Sequence, residues 1–335
     1  MYFVDNGNNS EASLNIALET YLVENRLVDE PILLFYINDP SIIVGRNQNT
    51  IEEVNQAYVE EKGIRVVRRM SGGGAVYHDR GNFSFCFIKD DDGSFRDFAS
   101  FTQPVIQALH KMGAKGAELK GRNDLLIEDK KFSGNAMYAK NGRMTAHGTI
   151  LFDADLEEVT KALKPRKEKF ESKGIKSVRS RVTNIKPYVL PEYQKLTTEE
   201  FRDLLLLEIF GVESRDQVKE FKLTEADWAK VREIQAERFG NWEWNYGQSP
   251  AFAIQMSQKF PFGFVDFRFN VEQGFIKEVK VYGDFFGLGD ISDVEDTLVG
   301  VRFEREAVNQ VFENLDFNKY FGRVTAEEIL TLIFG

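Results

Sequence analysis

Cysteine and histidine are scarce in this chain. Its 335 residues hold one cysteine, Cys86, and three histidines, His78, His110 and His147. A lone thiol excludes an internal disulfide and fits a reducing compartment. Three histidines at no ligand-like spacing exclude a recognisable zinc site. No apolar run reaches the length of a membrane span. The first residues, Met1-Tyr2-Phe3-Val4-Asp5-Asn6, lack a basic start followed by an apolar stretch, so no signal peptide is expected and a cytoplasmic location is. Asn8-Asn9-Ser10 and Asn82-Phe83-Ser84 match the glycosylation pattern, which means nothing without secretion. A surplus of positive charge is missing too: the formal net charge is -10, which argues against a general nucleic-acid binder. Repeats and low-complexity segments are also lacking.

What is present is a glycine-rich run, Arg68-Arg69-Met70-Ser71-Gly72-Gly73-Gly74-Ala75-Val76-Tyr77-His78-Asp79. Glycines let a backbone approach a ligand closely and aim N–H groups at it. The two guanidinium groups add fixed positive charge suited to phosphate or carboxylate. The run is not a P-loop, because Ala75-Val76-Tyr77 follows where Gly-Lys-Ser/Thr would open a helix. It is not a dinucleotide fingerprint either, since both flanks read as strand.

Periodicity organises the rest. Ser10 is a plausible N-cap, and Leu14, Ala17, Leu18, Tyr21 and Leu22 recur at helical spacing, which predicts a helix over 10–25. Residues 32–37 and 41–45 read as a hairpin-like strand pair around Asn38-Asp39-Pro40. Residues 55–62 read as helix, 64–69 as the strand entering the glycine-rich loop, and 82–88 as a later strand. Alternation on that later strand places Phe83, Phe85 and Phe87 on one face and Cys86 opposite. Helices are expected over 98–112, 156–164, 197–210 and 227–238. Most of the 29 phenylalanines are expected in core packing. Length predicts two domains: a larger one over 1–246 and, after a linker at 247–255, a smaller one over 256–335. The second opens on a hairpin, 264–271 and 276–282 around Glu-Gln-Gly, followed by helices from about 293, 304 and 325. No chemistry is evident in it, and Gly287-Leu288-Gly289 reads as a loop.

Two further clusters carry chemistry. Asp124-Leu125-Leu126-Ile127-Glu128-Asp129-Lys130-Lys131-Phe132-Ser133-Gly134-Asn135-Ala136 reads as strand, acidic turn and strand, and Arg143-Met144-Thr145-Ala146-His147-Gly148-Thr149-Ile150-Leu151-Phe152 as another strand. A third cluster is Lys173-Gly174-Ile175-Lys176-Ser177-Val178-Arg179-Ser180-Arg181-Val182-Thr183-Asn184-Ile185. It lies in a stretch where Lys161, Lys164, Arg166, Lys167, Lys169, Lys173, Lys176, Arg179, Arg181 and Lys186 are opposed only by Glu168 and Glu171. Such a local excess of cations on an acidic protein attracts anions.

With Gly121-Arg122-Asn123-Asp124, these clusters resemble the lipoate–protein ligases in order and spacing over nearly the whole chain. The resemblance implies an α/β (α+β) fold: a mixed-sheet catalytic domain like that of biotin/lipoyl synthetases, with a small α+β C-terminal accessory domain. It implies ATP-dependent ligation of free lipoate to a lysine of an acceptor protein, through a lipoyl-adenylate, with release of AMP and pyrophosphate. The acceptors it implies are lipoyl domains of 2-oxoacid dehydrogenase E2 subunits or the glycine-cleavage H protein, met by a monomeric ligase.

By resemblance, Arg69 holds a phosphate and meets the acyl group, while Ser71, Gly72, Gly73, Gly74, Ala75, Val76 and Tyr77 contact nucleotide and acyl chain. Lys131 is the central lysine, bridging acyl carboxylate and α-phosphate; a compact charge on a flexible stem suits that role. Asp124, assisted by Asn123, is the expected Mg²⁺ ligand, since Mg²⁺ is usually held by one or two carboxylates plus phosphate. Residues 174–182, with Lys176, Ser177, Val178 and Arg179, correspond to the adenylate-binding loop, closing over the intermediate to exclude water. Arg46, Val76 and His147 line the slot for the acyl tail, His147 by packing rather than as a base. His110 is expected to be structural.

Three other readings compete. An ATP-independent lipoyl or octanoyl transferase of the same fold, in its cysteine-dependent form, needs a nucleophilic thiol. Cys86, in Phe-Ser-Phe-Cys-Phe, reads instead as inert core. A biotin ligase lacks its Gly-Arg-Gly-Arg loop here, the nearest stretch being Gly45-Arg46-Asn47-Gln48. A non-catalytic binder fits poorly with Lys131 and the glycine-rich loop both in place.

Overall fold

A computed structural model describes residues 1–163, 182–246 and 254–334. The first helix, α1 (Ala12–Glu24), is buried along its whole length from Ala12 to Val23. Its apolar residues face every direction, as expected of a helix inside a protein, and Ser13, Asn15, Glu19 and Thr20 are buried with them. Ser10 does not cap it: Glu11 holds the N-cap position without a side-chain bond, and the Ser10 hydroxyl donates to Asp39 at 2.5 Å.

Helix α1 packs on a seven-stranded mixed sheet. In spatial order its strands are β1 (Tyr2–Val4), β2 (Ile32–Tyr36), β6 (Asn82–Asp90), β10 (Arg143–Leu151), β9 (Lys130–Lys140), β8 (Asp124–Ile127) and β7 (Glu118–Lys120). β1 and β2 run parallel and the other neighbours antiparallel. On β6 the alternation holds. Phe83, Phe85 and Phe87 enter one core with helix Phe98–Lys111 and the later helix Thr198–Phe210, while Cys86 and Ile88 enter the core around α1.

A smaller sheet carries the glycine-rich loop. Here β3 (Ser41–Val44) lies between β4 (Arg65–Arg68), parallel to it, and β5 (Val76–His78), antiparallel. The hairpin-like pairing of 32–37 with 41–45 is therefore corrected: β2 and β3 belong to different sheets. Each already has a partner on both edges, and a continuous apolar run such as Ile-Leu-Leu-Phe-Tyr marks a strand buried between neighbours as well as it marks a hairpin arm.

Beyond residue 254 lies a separate layer. Strands β11 (Ile254–Phe260), β12 (Gly263–Glu272) and β13 (Phe275–Gly283) form an antiparallel sheet, with β11 absent from the sequence reading. Helices Ile291–Leu298, Arg305–Phe312 and Ala326–Phe334 close a core of its own around Phe267, Phe269, Phe312 and Phe321. This unit meets the first through Arg268 with Glu52 at 2.7 Å, Arg46 with Asp290 at 2.5 Å, and the Gly283 N–H donating to Asn47 O at 2.6 Å. No helix among the described residues is long and apolar enough to cross a membrane.

Candidate active site

The β8–β9 hairpin turns on Glu128 and Asp129, both at positive φ (48° and 60°), the signature of a two-residue type I′ turn. Just past it Leu126 pairs with Lys131 and Leu125 with Ser133, so Phe132 is an extra residue in a bulge. Bulges re-aim side chains. Phe132 goes fully into the core, while Lys131 Nζ lies 2.7 Å from Asp124 Oδ1, both side chains little more than one-third exposed. A Cβ on Gly134 would stand 2.8 Å from Lys131 Nζ, so the ammonium rests over that glycine. Behind it, Asn123 Nδ2 donates to Asn135 O at 2.5 Å and Asn135 Nδ2 to Asn123 O at 3.0 Å, locking the two strands at this level.

Lys131, Asp124, Asn123 and Gly134 border a cavity of about 280 Å³ that Arg69 and the glycine-rich loop, Gly73 to Val76, border as well. Ile16, Tyr36, Ile43, Val76 and Ala136 make another part of it apolar. The slot is thus amphipathic: cationic and polar at one side, hydrocarbon-like at the other.

Arg69 is buried, and its guanidinium makes four hydrogen bonds: to Ser71 Oγ (2.9 Å), Ile43 O (3.1 Å), Gly72 O (2.6 Å) and Gly74 O (2.9 Å). Burial lowers its pKa to about 10, which leaves it charged at neutral pH. Arg69 thus curls the loop around itself, taking up the carbonyls of Gly72 and Gly74. Gly73 sits at φ +89°, and a Cβ on Gly72 would lie 2.2 Å from Phe285 O of the C-terminal unit. Arg68 is likewise committed, donating to Gly45 O, Arg46 O, Gln48 O, Thr50 Oγ1 and Trp244 O.

A buried line of hydrogen bonds continues from Arg69. Ser71 Oγ lies 2.7 Å from His147 Nε2, and His147 Nδ1 lies 2.5 Å from Glu19 Oε1. Tyr36 OH donates to the other oxygen of Glu19 at 3.2 Å. Running from Arg69 through Ser71 and His147 to Glu19, each donor finds an acceptor and the chain ends on a carboxylate. It ties helix α1, strand β10 and the glycine-rich loop together at the wall of the cavity. His147 thus packs at the wall and is held at both ring nitrogens.

Not every expected residue reaches this cavity. Tyr77 points to the other face of β5, into the core with Ile42, Val44 and Val66. Arg46 turns away as well: it pairs with Asp290 and lies over the Trp244 ring, 4.9 Å from its centroid. Ser71 and Gly72 are buried behind the wall, and Lys176, Ser177, Val178 and Arg179 lie outside the described residues. The far end of that basic cluster is placed: Val182 bridges to Lys131, and the Thr183 N–H donates to Lys131 O at 2.9 Å.

Residues 11–210 match the lipoyl protein ligase A/B catalytic domain and residues 249–333 the bacterial lipoate protein ligase C-terminus. The chain is 51% identical, over the full length of both proteins, to lipoate-protein ligase LplJ of Bacillus subtilis. The chain belongs to the lipoate–protein ligase family. Among solved structures it is similar to P. falciparum LipL1 in complex with lipoate (TM-score 0.80, 26% identity, 98% of this chain and 97% of that one). It is also similar to a lipoate-protein ligase A bound with ATP (TM-score 0.58, 27% identity, 73% and 98%).

Three of the residues at this family member's site to which the sequence reading gave no role are Glu19, Arg122 and Asp284. Glu19 is the one carboxylate among the buried residues 12–23 of helix α1, a signal that was there to be read. Arg122 borders the cavity while donating to Phe262 O and Asp284 O, with Phe286 4.6 Å beneath its guanidinium. Asp284 borders the cavity too, so the C-terminal unit, expected to carry no chemistry, contributes to the wall. Nothing local in Asp-Phe-Phe-Gly announces this.

Proposed function

We propose that the protein joins free lipoate to a lysine of an acceptor protein in two steps, both served by this cavity. An amide does not form from a free carboxylate in water, so the carboxylate is first activated by ATP as a lipoyl-adenylate with release of pyrophosphate. The acceptor ε-amine then displaces AMP. The observation that carries the reading is Lys131: a cation on a flexible stem that borders one amphipathic cavity together with the glycine-rich loop and Arg69. Charge develops on the α-phosphate and the acyl oxygen in both steps, and preorganised donors there are the largest source of rate. Lys131 exchanges Asp124 for those oxygens, Arg69 keeps the glycine-rich loop curled, and the apolar wall holds the acyl tail out of water. Val76 lines that wall, and Arg46 sits at the seam above it.

Among the described residues no three His, Cys, Asp or Glu side chains gather as a metal cage. Asp124, one carboxylate with Asn123 beside it, fits a Mg²⁺ that arrives with phosphate and water oxygens rather than one caged by protein. Bound there, the ion would neutralise phosphate charge. The acceptors we propose are lipoyl domains of 2-oxoacid dehydrogenases or the H protein of glycine cleavage, modified in the cytoplasm by a monomer. Residues 1–246 form the catalytic unit and 256–335 the accessory unit, joined through 247–255.

The test is lipoate-dependent ATP–pyrophosphate exchange without acceptor protein. Exchange that requires lipoate and disappears in Lys131→Ala supports the reading. Lipoyl movement between carrier proteins without ATP, and no exchange, overturns it. Cys86 lends no support to that transfer chemistry: it is fully buried, does not border the cavity, and burial beside Glu19 raises its pKa well above the usual thiol value.

A further inference from the structure

Three arginine or lysine side chains border the cavity among the described residues: Arg69, Lys131 and Arg122. Arg69 is committed to the glycine-rich loop and Lys131 serves the reacting oxygens, which leaves Arg122 as a cation without a task. Its guanidinium is held from the C-terminal unit. Nη1 donates to Phe262 O and Nη2 to Asp284 O at 3.2 Å, while one face lies 4.6 Å from the centre of the Phe286 ring. Nε donates to Asn123 Oδ1 at 3.3 Å. A guanidinium has five N–H donors, and these bonds use three. One N–H on each Nη is left without a partner among the described residues, and Arg122 is only partly buried. Asp284 and Asp124 stand near enough to oppose the lowering of its pKa by burial. Both are engaged elsewhere: Asp124 pairs with Lys131, and Asp284 Oδ1 accepts from the Phe264 N–H at 2.6 Å.

The cavity therefore has a preset cationic fork next to Asn123 and Asp124, the pair that fits Mg²⁺. Forming an adenylate breaks one bond of ATP. A lipoate carboxylate oxygen bonds to the α-phosphorus, the bond from that phosphorus to the oxygen bridging to the β-phosphate breaks, and that oxygen keeps the electron pair. No proton moves, and negative charge builds up on the departing pyrophosphate. Two N–H groups on one planar fork match two phosphate oxygens at once, as a single ammonium does not. We infer that Arg122 is a further catalytic residue: its two unused N–H groups grip the pyrophosphate as it leaves, in the adenylation step and not in the transfer step. The inference rests on the function proposed above.

The experiment follows two half-reactions in the full chain and in Arg122→Met and Arg122→Lys. One is lipoate-dependent ATP–pyrophosphate exchange. The other is transfer from synthetic lipoyl-adenylate to whichever lipoyl domain or H protein the unsubstituted protein modifies. Arg122→Met keeps an apolar stem over Phe286 and is expected to exchange about 100-fold more slowly, with KM for pyrophosphate raised and transfer within about threefold of the unsubstituted protein. Unchanged exchange in Arg122→Met overturns the inference. So does an equal fall in both half-reactions, the mark of a residue that only holds the two units together. Should Arg122→Met fail to fold, Arg122→Lys decides, because it keeps the charge and loses the fork. Exchange down about tenfold with transfer kept supports the inference, and any other pattern overturns it. Exchange absent from the unsubstituted protein overturns the proposed function, and the inference falls with it; exchange present there and kept in Arg122→Met overturns the inference alone.

Discussion

Arg69 and Lys131 border one cavity and carry the same charge, but they are built in opposite ways. Arg69 is buried under the glycine-rich loop with four acceptors around it, three of them backbone carbonyls. Lys131 stands on a bulged strand, over a third exposed, with one carboxylate at 2.7 Å. The first is a brace and the second a moving part. A guanidinium's fixed fork suits the brace, because several bonds are satisfied at once and little freedom is lost per bond. An ammonium on four methylenes suits the moving part, because it can leave Asp124 for an oxygen that changes charge during reaction. The same formal charge does two jobs, separated by burial.

The comparison can be broken by substitution. Lys131→Ala should lower pyrophosphate exchange roughly 10³-fold. Its thermal midpoint should barely move, since an exposed pair such as Lys131–Asp124 contributes little to stability. Arg69→Met should do the reverse in kind. Removing the buried cation strands its acceptors and should cost about 3 kcal/mol, read as a lower urea midpoint. An unchanged midpoint with lost exchange would make Arg69 a phosphate contact and not a brace. Gly134→Ala probes the moving part without touching its charge: the new methyl should displace the ammonium and lower exchange roughly 30-fold, with kcat falling more than KM rises.

Two smaller effects sharpen the contrast. His78 is protonated in the unfolded chain near the ordinary value of 6.5, but in the folded protein only near 3. The unfolded state therefore binds more protons between those values, and stability falls as pH drops through that window. At pH 5 the loss relative to pH 8 should be about 2 kcal/mol from this group, and urea titrations of His78→Leu should show a flatter pH profile. Cys86→Ala should leave exchange intact and cost about 1 kcal/mol, as expected of a small buried packing atom, and the native thiol should resist maleimide. Loss of acyl transfer in Cys86→Ala would restore the transferase reading.

Local patterns were legible in the sequence wherever the physics is local. The β12–β13 hairpin shows in its alternation and in Gln273-Gly274, which both take positive φ (52° and 80°). The helix Thr198–Phe210 shows in its Thr197 capping box. Partner choice between strands is not local, so β2 and β3 looked like a hairpin, and β11, with its polar Ser-Gln-Lys, gave no strand signal. The glycine-rich loop and the Lys131 hairpin could be singled out, and they do border one cavity. Arg69's charge could be read but not its four acceptors, which exist only once the loop has curled. Asp284 and Arg122 meet at the cavity wall through contacts spanning more than a hundred residues, and no window of sequence contains them.

The seam between the two units has an optical consequence. The chain's three tryptophans, Trp228, Trp242 and Trp244, all fall within seventeen consecutive residues of the first unit. Trp244 sits under the Arg46 guanidinium, which in turn holds Asp290 of the second. A cation stacked on an indole tunes its emission, and here the stacking is secured from across the seam. The intrinsic fluorescence of this protein therefore carries a native, label-free signal of how its two halves are joined.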